Sequence, residues 1–227
     1  MTSPHIFTVL AHDLKSPLNA VESYLEIMQN RIMGESLDPY MPILEKSIAR
    51  LHQMRELITD VVIWSRIRDP SLSRELATQD VSKTARLILD RYRKGDMTRN
   101  ITISDDIEDG ITCKAGSGEI DLILGHLIDN AVKYNRNNGS VTVTVRKEGE
   151  CLTIAVADTG IGMTAEEQSR LFQEFARMKN NKTRNIPGTG LGLAIVKGLI
   201  ELYQGTIKVR SVPDRGTTIS LTLLSDP

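Results

Sequence analysis

The chain has 227 residues, a length that suits one or two domains at roughly 150 residues each. Its 28 Lys and Arg against 29 Asp and Glu leave a net charge of −1, which gives no electrostatic basis for nucleic acid as the main partner. Hydrophobic residues at 40% and charged residues at 25% exclude global disorder, and aromatics at only 4% leave Leu, Ile and Val to build the core. Two distant cysteines, Cys113 and Cys151, argue against a disulfide scaffold or a structural zinc site and suit a reducing, cytoplasmic compartment. No long apolar run is present, so no membrane contact is expected within this segment, and residues 1–5 lack the features of a signal peptide.

In chain order, Phe7, Ala11, Leu14, Leu18, Val21, Leu25, Met28 and Ile32 alternate spacings of 4 and 3, the seam of a bundle helix. Gly34 offers a stop, and Asp38-Pro39 reads as an N-cap followed by proline at the first helical position. Leu44, Ile48, Leu51, Met54, Ile58, Val61 and Trp64 predict a second amphipathic helix. The short connection predicts an antiparallel hairpin over residues 1–68. Two helices cannot enclose a core, so a second copy should complete a dimeric four-helix bundle.

Asp69-Pro70 opens a linker over 69–79, and a separate domain is expected over 80–227. There the patterns mix. Helices are predicted over Val81–Arg93, Glu119–Tyr134 (apolar face Leu122, Ile123, Leu127 and Val132) and Leu191–Tyr203. Strands are predicted over Ile101–Ile103, Val141–Val145, a more central Leu152–Ala157, Thr206–Arg210 and Thr217–Leu224. Paired and helix-separated strands together suggest a mixed sheet with helices on one face, a two-layer α/β sandwich, making the chain α+β as a whole.

Four segments carry candidate chemistry. In Ala11-His-Asp-Leu-Lys-Ser-Pro-Leu18, the seam places His12 and Asp13 outward, with Ser16 four residues on from His12. A carboxylate beside an exposed imidazole can hold one nitrogen ready as a nucleophile, while Pro17 bends the helix beside it. Asp158-Thr-Gly-Ile-Gly-Met163 follows a strand, and Gly188-Thr-Gly-Leu-Gly-Leu193 opens a helix, whose free amides favour phosphate. Neither fits the P-loop or the dinucleotide fingerprint. His126 and Asn130 share a helical face; the Asn130 amide oxygen suits Mg²⁺, and Lys133 can offset phosphate charge. Finally, Met163–Pro187 carries a local net charge of +2 and reads as a lid over a polyanion.

The order of these segments resembles a bacterial-type sensor histidine kinase core over nearly the whole chain. His12–Leu18 looks like its H-box, His126–Tyr134 its N-box, Asp158–Met163 its G1 box, Leu171-Phe-Gln-Glu-Phe175 its F-box and Gly188–Leu193 its G2 box. The resemblance implies an ATP-binding domain of the type shared with gyrase-like ATPases and Hsp90, the Bergerat or GHKL fold. It implies an ATP-dependent protein-histidine kinase that phosphorylates His12 and passes the group to an aspartate of a response regulator receiver domain. Asp13 would be the general base, and Ser16 would serve dephosphorylation of that partner. Asn130 would hold Mg²⁺. His126, Lys133 and Tyr134 would line the nucleotide, Asp158 would accept from the adenine amino group, and Gly160 and Gly162 would bound the adenine pocket. Gly188, Thr189, Gly190, Leu191 and Gly192 would approach the phosphates. The chain would be the homodimeric cytoplasmic core of a longer protein, with a membrane-anchored sensor region preceding it.

Two departures stand out. His126 occupies a position where the family usually has Asn, and related ATPases a water-activating Glu; Ser16 stands where Thr or Asn is commoner. Two other readings remain open on the residues: a GHKL-type ATPase dimerised by its hairpin, and a catalytically weak scaffold docking a regulator.

Overall fold

The computed structural model describes residues 4–69, 71, 74–95, 99–178, 183–184, 186 and 188–224, without the side chains of residues 4–9 and 12. The chain divides into two compact units, Met1–Ile63 with Pro187–Thr189, and Trp64–Ile186 with Gly190–Pro227.

The first unit is a helical hairpin. Helix α1 (Pro4–Gln29) contains Pro17 and gives way to α2 (Met41–Ile67), whose last turn belongs to the second unit. The expected stop at Gly34 comes late: α1 ends at Gln29, where Arg31 adopts a left-handed φ of 51° and Ile32 N donates to Ile27 O at 3.2 Å. Nor is Asp38 the N-cap of α2. It begins a single 3-10 turn, Asp38–Tyr40, and α2 starts at Met41 with a second proline, Pro42, in its first turn where no intrahelical amide bond is lost. The Tyr40 hydroxyl closes the connection, accepting from Met33 N and donating to Gly34 O, each at 2.9 Å.

The hairpin buries Val21 of the predicted α1 seam, and on α2 it buries Leu57, which lies outside the predicted run. Leu18, Leu25 and Ile32 of the α1 segment, seven residues apart, remain exposed, as do Ile48, Leu51, Ile58 and Val62 of α2. A single hairpin covers only half of such a helix's apolar surface.

The second unit is built on a five-stranded mixed sheet of order β2-β4-β5-β7-β6, from β2 (Thr102–Ile107), β4 (Ser140–Glu148), β5 (Cys151–Asp158), β6 (Thr206–Val212) and β7 (Gly216–Leu224). Only β2 and β4 pair in parallel. Two short strands escaped the sequence pattern: β1 (Leu76–Asp80) and β3 (Thr112–Gly116) form a separate antiparallel pair, so part of the segment read as linker is a strand. β1 is exposed along most of its length, and β3, although its burial alternates through Cys113 and Ala115, is too brief to stand out as a strand. Helices α3 (Val81–Lys94), α4 (Glu119–Lys133) and α6 (Gly192–Leu202) pack against one another and over one sheet face, as the two-layer expectation required. Val141, Val143, Val145, Leu152, Ile154 and Leu221 are fully buried beneath them. On α4 the buried face runs through Ile120, Ile123, Leu124, Leu127, Ile128 and Ala131; Leu122 and Val132 are only half-buried, because α4 touches two helices and the sheet and so needs a broader apolar arc. A short helix, α5 (Ala165–Arg170), is the third missed element; Thr164 and Glu167 form a reciprocal capping box at its start.

Candidate functional site

The nucleotide candidates gather around α4. His126, Asn130 and Lys133 follow at spacings of 4 and 3 along it, so they share a face, and Tyr134 caps its C-terminal end. Asn130 is half-buried, and Lys133 reaches back to Asp129 with Nζ to Oδ2 at 2.6 Å.

The G1 segment is joined to the end of that helix. Ile161 N donates to the Tyr134 carbonyl at 3.1 Å, and Asp214 N from the β6–β7 turn donates to Ile161 O at 2.8 Å. The glycines make this docking possible. A Cβ at Gly160 would run into the Tyr134 carbonyl, and one at Gly162, whose φ is 60°, into the Val212 carbonyl. Their smallness accommodates the protein's own backbone, a role the sequence reading assigned to ligand approach. Asp158 ends β5, and its Oδ1 accepts from Gly160 N at 2.7 Å and Thr217 N at 3.3 Å. Burial pushes its carboxyl above the usual carboxylate range, against the pull of those two amides.

Gly192 of the G2 segment meets the same helix earlier along its length, at His126. Gly190, with φ 72°, lies against the backbone of Phe175, the last residue of the F-box, and of Ala176 just after it. Leu191 is completely buried, and no side chain caps the start of α6. Gly192 faces the imidazole of His126.

Of the remaining lid, Arg177 donates to Ile186 O at 2.9 Å and Thr183 donates to Met178 O. Lys179, Lys182 and Pro187 lie outside the described residues.

In the first unit, His12 lies in α1 just before Asp13, but its side chain lies outside the description. Asp13 is half-buried and Ser16 exposed. Gly188 is exposed, with open space where a Cβ would stand. The Thr189 hydroxyl donates to the carboxylate of Asp60, a buried residue of α2, at 2.6 Å.

A cluster that the sequence did not signal lies in the second unit. Arg74 bridges Glu119 at the start of α4, with Nε to Oε1 at 3.1 Å, and donates to the Tyr203 hydroxyl at the end of α6 at 2.8 Å. Its guanidinium lies 4.8 Å from the Tyr203 ring centroid. Tyr203 in turn donates to Glu119 and accepts from Gly116 N at 2.9 Å. These four residues are scattered over more than half of the chain, so no local pattern could reveal them.

Among the described residues, no helix is long and apolar enough to cross a membrane.

Residues 5–70 match the His Kinase A (phospho-acceptor) domain, and residues 117–227 match the histidine kinase-, DNA gyrase B- and HSP90-like ATPase family. The sensor-like histidine kinase SenX3 of Mycolicibacterium smegmatis is 29% identical over 220 residues, covering 96% of this chain and 56% of that protein. The chain spans between about a quarter and a little over half of the length of such curated relatives. Among solved structures, histidine kinase AdeS of Acinetobacter baumannii superposes with a TM-score of 0.75 at 18% identity, covering 94% of this chain and 98% of that one. Histidine kinase ThkA in complex with response regulator protein TrrA gives 0.76 at 15% identity, covering 98% of this chain and 61% of that one. The hairpin, the mixed sheet under three helices and the two family matches agree, and the chain belongs to the sensor histidine kinases as their catalytic core.

Proposed function

We propose that this core is an ATP-dependent protein-histidine kinase of two-component signalling, with residues 1–68 as the phosphotransfer hairpin, 69–79 as linker and 80–227 as the nucleotide domain. One observation carries this reading: two motifs far apart in sequence converge on the helix that carries a third. G1 joins the C-terminal end of α4 through Tyr134, and G2 meets its middle through His126.

Each residue then has a task. The Asp158 carboxylate accepts from the adenine amino group. Gly160 and Gly162 shape the turn that borders the base, and Tyr134 flanks it. The amides at the start of α6, with Gly188, Thr189, Gly190, Leu191 and Gly192, take the phosphates, and Lys133 exchanges Asp129 for phosphate charge. Asn130 offers an amide oxygen to Mg²⁺, which when bound would neutralise charge on the transferring phosphoryl group. Asp13 orients His12 and takes its proton, freeing the ring nitrogen to receive the γ-phosphoryl group. The phosphoryl group then passes to an aspartate of a receiver domain, a partner of the kind named in the ThkA complex. Ser16 orients a water molecule for hydrolysis of the receiver's aspartyl phosphate, a separate reaction that releases inorganic phosphate. A second copy of the hairpin covers the exposed stripes, giving a homodimer.

Incubation with γ-labelled ATP and Mg²⁺ tests the reading. The expected product is an acid-labile phosphoprotein that disappears in His12→Gln and loses its label to an added receiver domain. Steady phosphate release without labelled protein would establish an ATPase instead, and absence of both would leave a scaffold.

A further inference from the structure

Helix propensity favours alanine over glycine at the first residue of α6, and Gly192 has no left-handed φ that would demand glycine. What forbids a side chain there is the His126 ring. A Cβ at position 192 would stand 2.7 Å from Nδ1, 3.2 Å from Cγ and 3.3 Å from Cε1. On its other edge the ring is closed in too, since Nε2 is shut off from solvent. The ring therefore cannot swing away cheaply, and α6 begins where the imidazole lets it begin.

This contact has a consequence for the nucleotide. His126 lies one turn before Asn130 on α4, and Gly192 opens the helix whose start the reading above assigns to the phosphates. The ring thus spans the two elements that must be held at a fixed separation for phosphate and Mg²⁺ to be bound together.

We propose that His126 is a positioning residue and not a nucleotide ligand: its ring is a wedge that sets the start of α6 relative to α4, and Gly192 is glycine to receive it. This inference rests on the nucleotide-binding reading above and revises the contact role that the resemblance implies for His126. The wedge is a matter of volume, so a ring without nitrogens can replace it.

A melting and binding cycle on the full chain tests both halves. The proteins are the parent, His126→Ala, Gly192→Ala, the double variant and His126→Phe. Without nucleotide, Gly192→Ala should lower the melting temperature in the parent, and leave it unchanged or raise it in His126→Ala, because the methyl group then enters vacated space. In calorimetry with ATP, each alanine single variant should lose about tenfold in affinity. Adenosine, which lacks the phosphates, should bind all five proteins alike, a result that general destabilisation would not produce. His126→Phe should retain ATP affinity within about threefold of the parent. Equal melting costs of Gly192→Ala in both backgrounds would overturn the wedge. Loss of ATP binding in His126→Phe equal to that in His126→Ala would restore the ring nitrogens as ligands and refute the positioning role. If the parent binds neither ATP nor adenosine, the nucleotide reading falls and the positioning role falls with it, whereas the melting cycle still judges the contact itself.

Discussion

Asp158 illustrates how a single residue can be legible in identity and hidden in environment. An aspartate closing an apolar strand and leading into Thr-Gly-Ile-Gly marks a ligand turn in the sequence. The sequence does not show that its carboxylate is desolvated while held by the Gly160 and Thr217 amides. Because its folded-state pKa is raised, its favourable contribution to stability is fully present below the unfolded value and is lost as pH rises through the folded one. Asp158→Asn keeps an acceptor oxygen for both amides and removes the buried charge. The variant should therefore melt no lower than the parent at pH 7, and its melting temperature relative to the parent should fall as pH is lowered toward 4. It should nonetheless bind ATP at least tenfold more weakly, since an amide cannot match the carboxylate as acceptor for the adenine amino group. Thermal melts across pH with parallel calorimetry check both signs; normal ATP affinity would remove Asp158 from the base-reading role. The glycines carry the complementary lesson. Gly160 and Gly162 were conspicuous in the sequence, but their tight neighbours are the carbonyls of Tyr134 and Val212.

Among the elements, α4 is the hub. Its N-terminal turn, through Glu119, is tied to Arg74 and Tyr203, and its C-terminal end, through Tyr134, to the G1 turn. The Tyr203 phenol is pushed up to about 12, chiefly by burial and next by the hydrogen bond to Glu119, which the neutral hydroxyl donates. Its stabilising contribution is thus complete below about pH 10 and lost as pH rises toward about 12. Tyr203→Phe removes the hydroxyl that serves Arg74, Glu119 and Gly116 together, so it should cost about 1–3 kcal/mol at pH 7. The deficit should narrow above pH 10, where the parent alone must pay to keep its phenol neutral. Denaturant unfolding at pH 7 and pH 10.5 checks this, and a cost independent of pH would show that folding does not raise the phenol's pKa. The long helices and the alternating strands of the sheet were readable because each shows its periodicity within one short window. Strands β1 and β3 and helix α5 were missed because each is brief, although the Thr164/Glu167 capping box was present in the sequence as a start signal.

For the whole molecule, the proposed dimer is the feature with the largest energetic stake. The exposed residues Leu18, Leu25, Ile48, Leu51 and Ile58 recur at bundle spacing on two helices of one hairpin, and each would be worth about 1.5–3 kcal/mol if fully covered by a second copy. Leu51→Lys combined with Ile58→Lys places four ammonium groups in the dimer core and should leave a monomer with intact helices. Sedimentation equilibrium and circular dichroism measure the two quantities; an unchanged dimer mass would locate the interface elsewhere. The adenosine and ATP affinities of the second unit should survive that change, since none of its nucleotide contacts draws on the exposed stripes.

By itself the sequence determined the hairpin, the mixed sheet with helices on one face, and the order of the five motifs, because period, turn residues and local motifs are properties of neighbouring residues. Only the tertiary structure decided how those motifs meet: Gly192 against the His126 ring, Gly160 against the Tyr134 carbonyl, and Arg74 between Glu119 and Tyr203. These contacts join residues distant along the chain, and close packing sets which side chain must be small and which carboxyl loses its water. That information arises only when the layers close on one another.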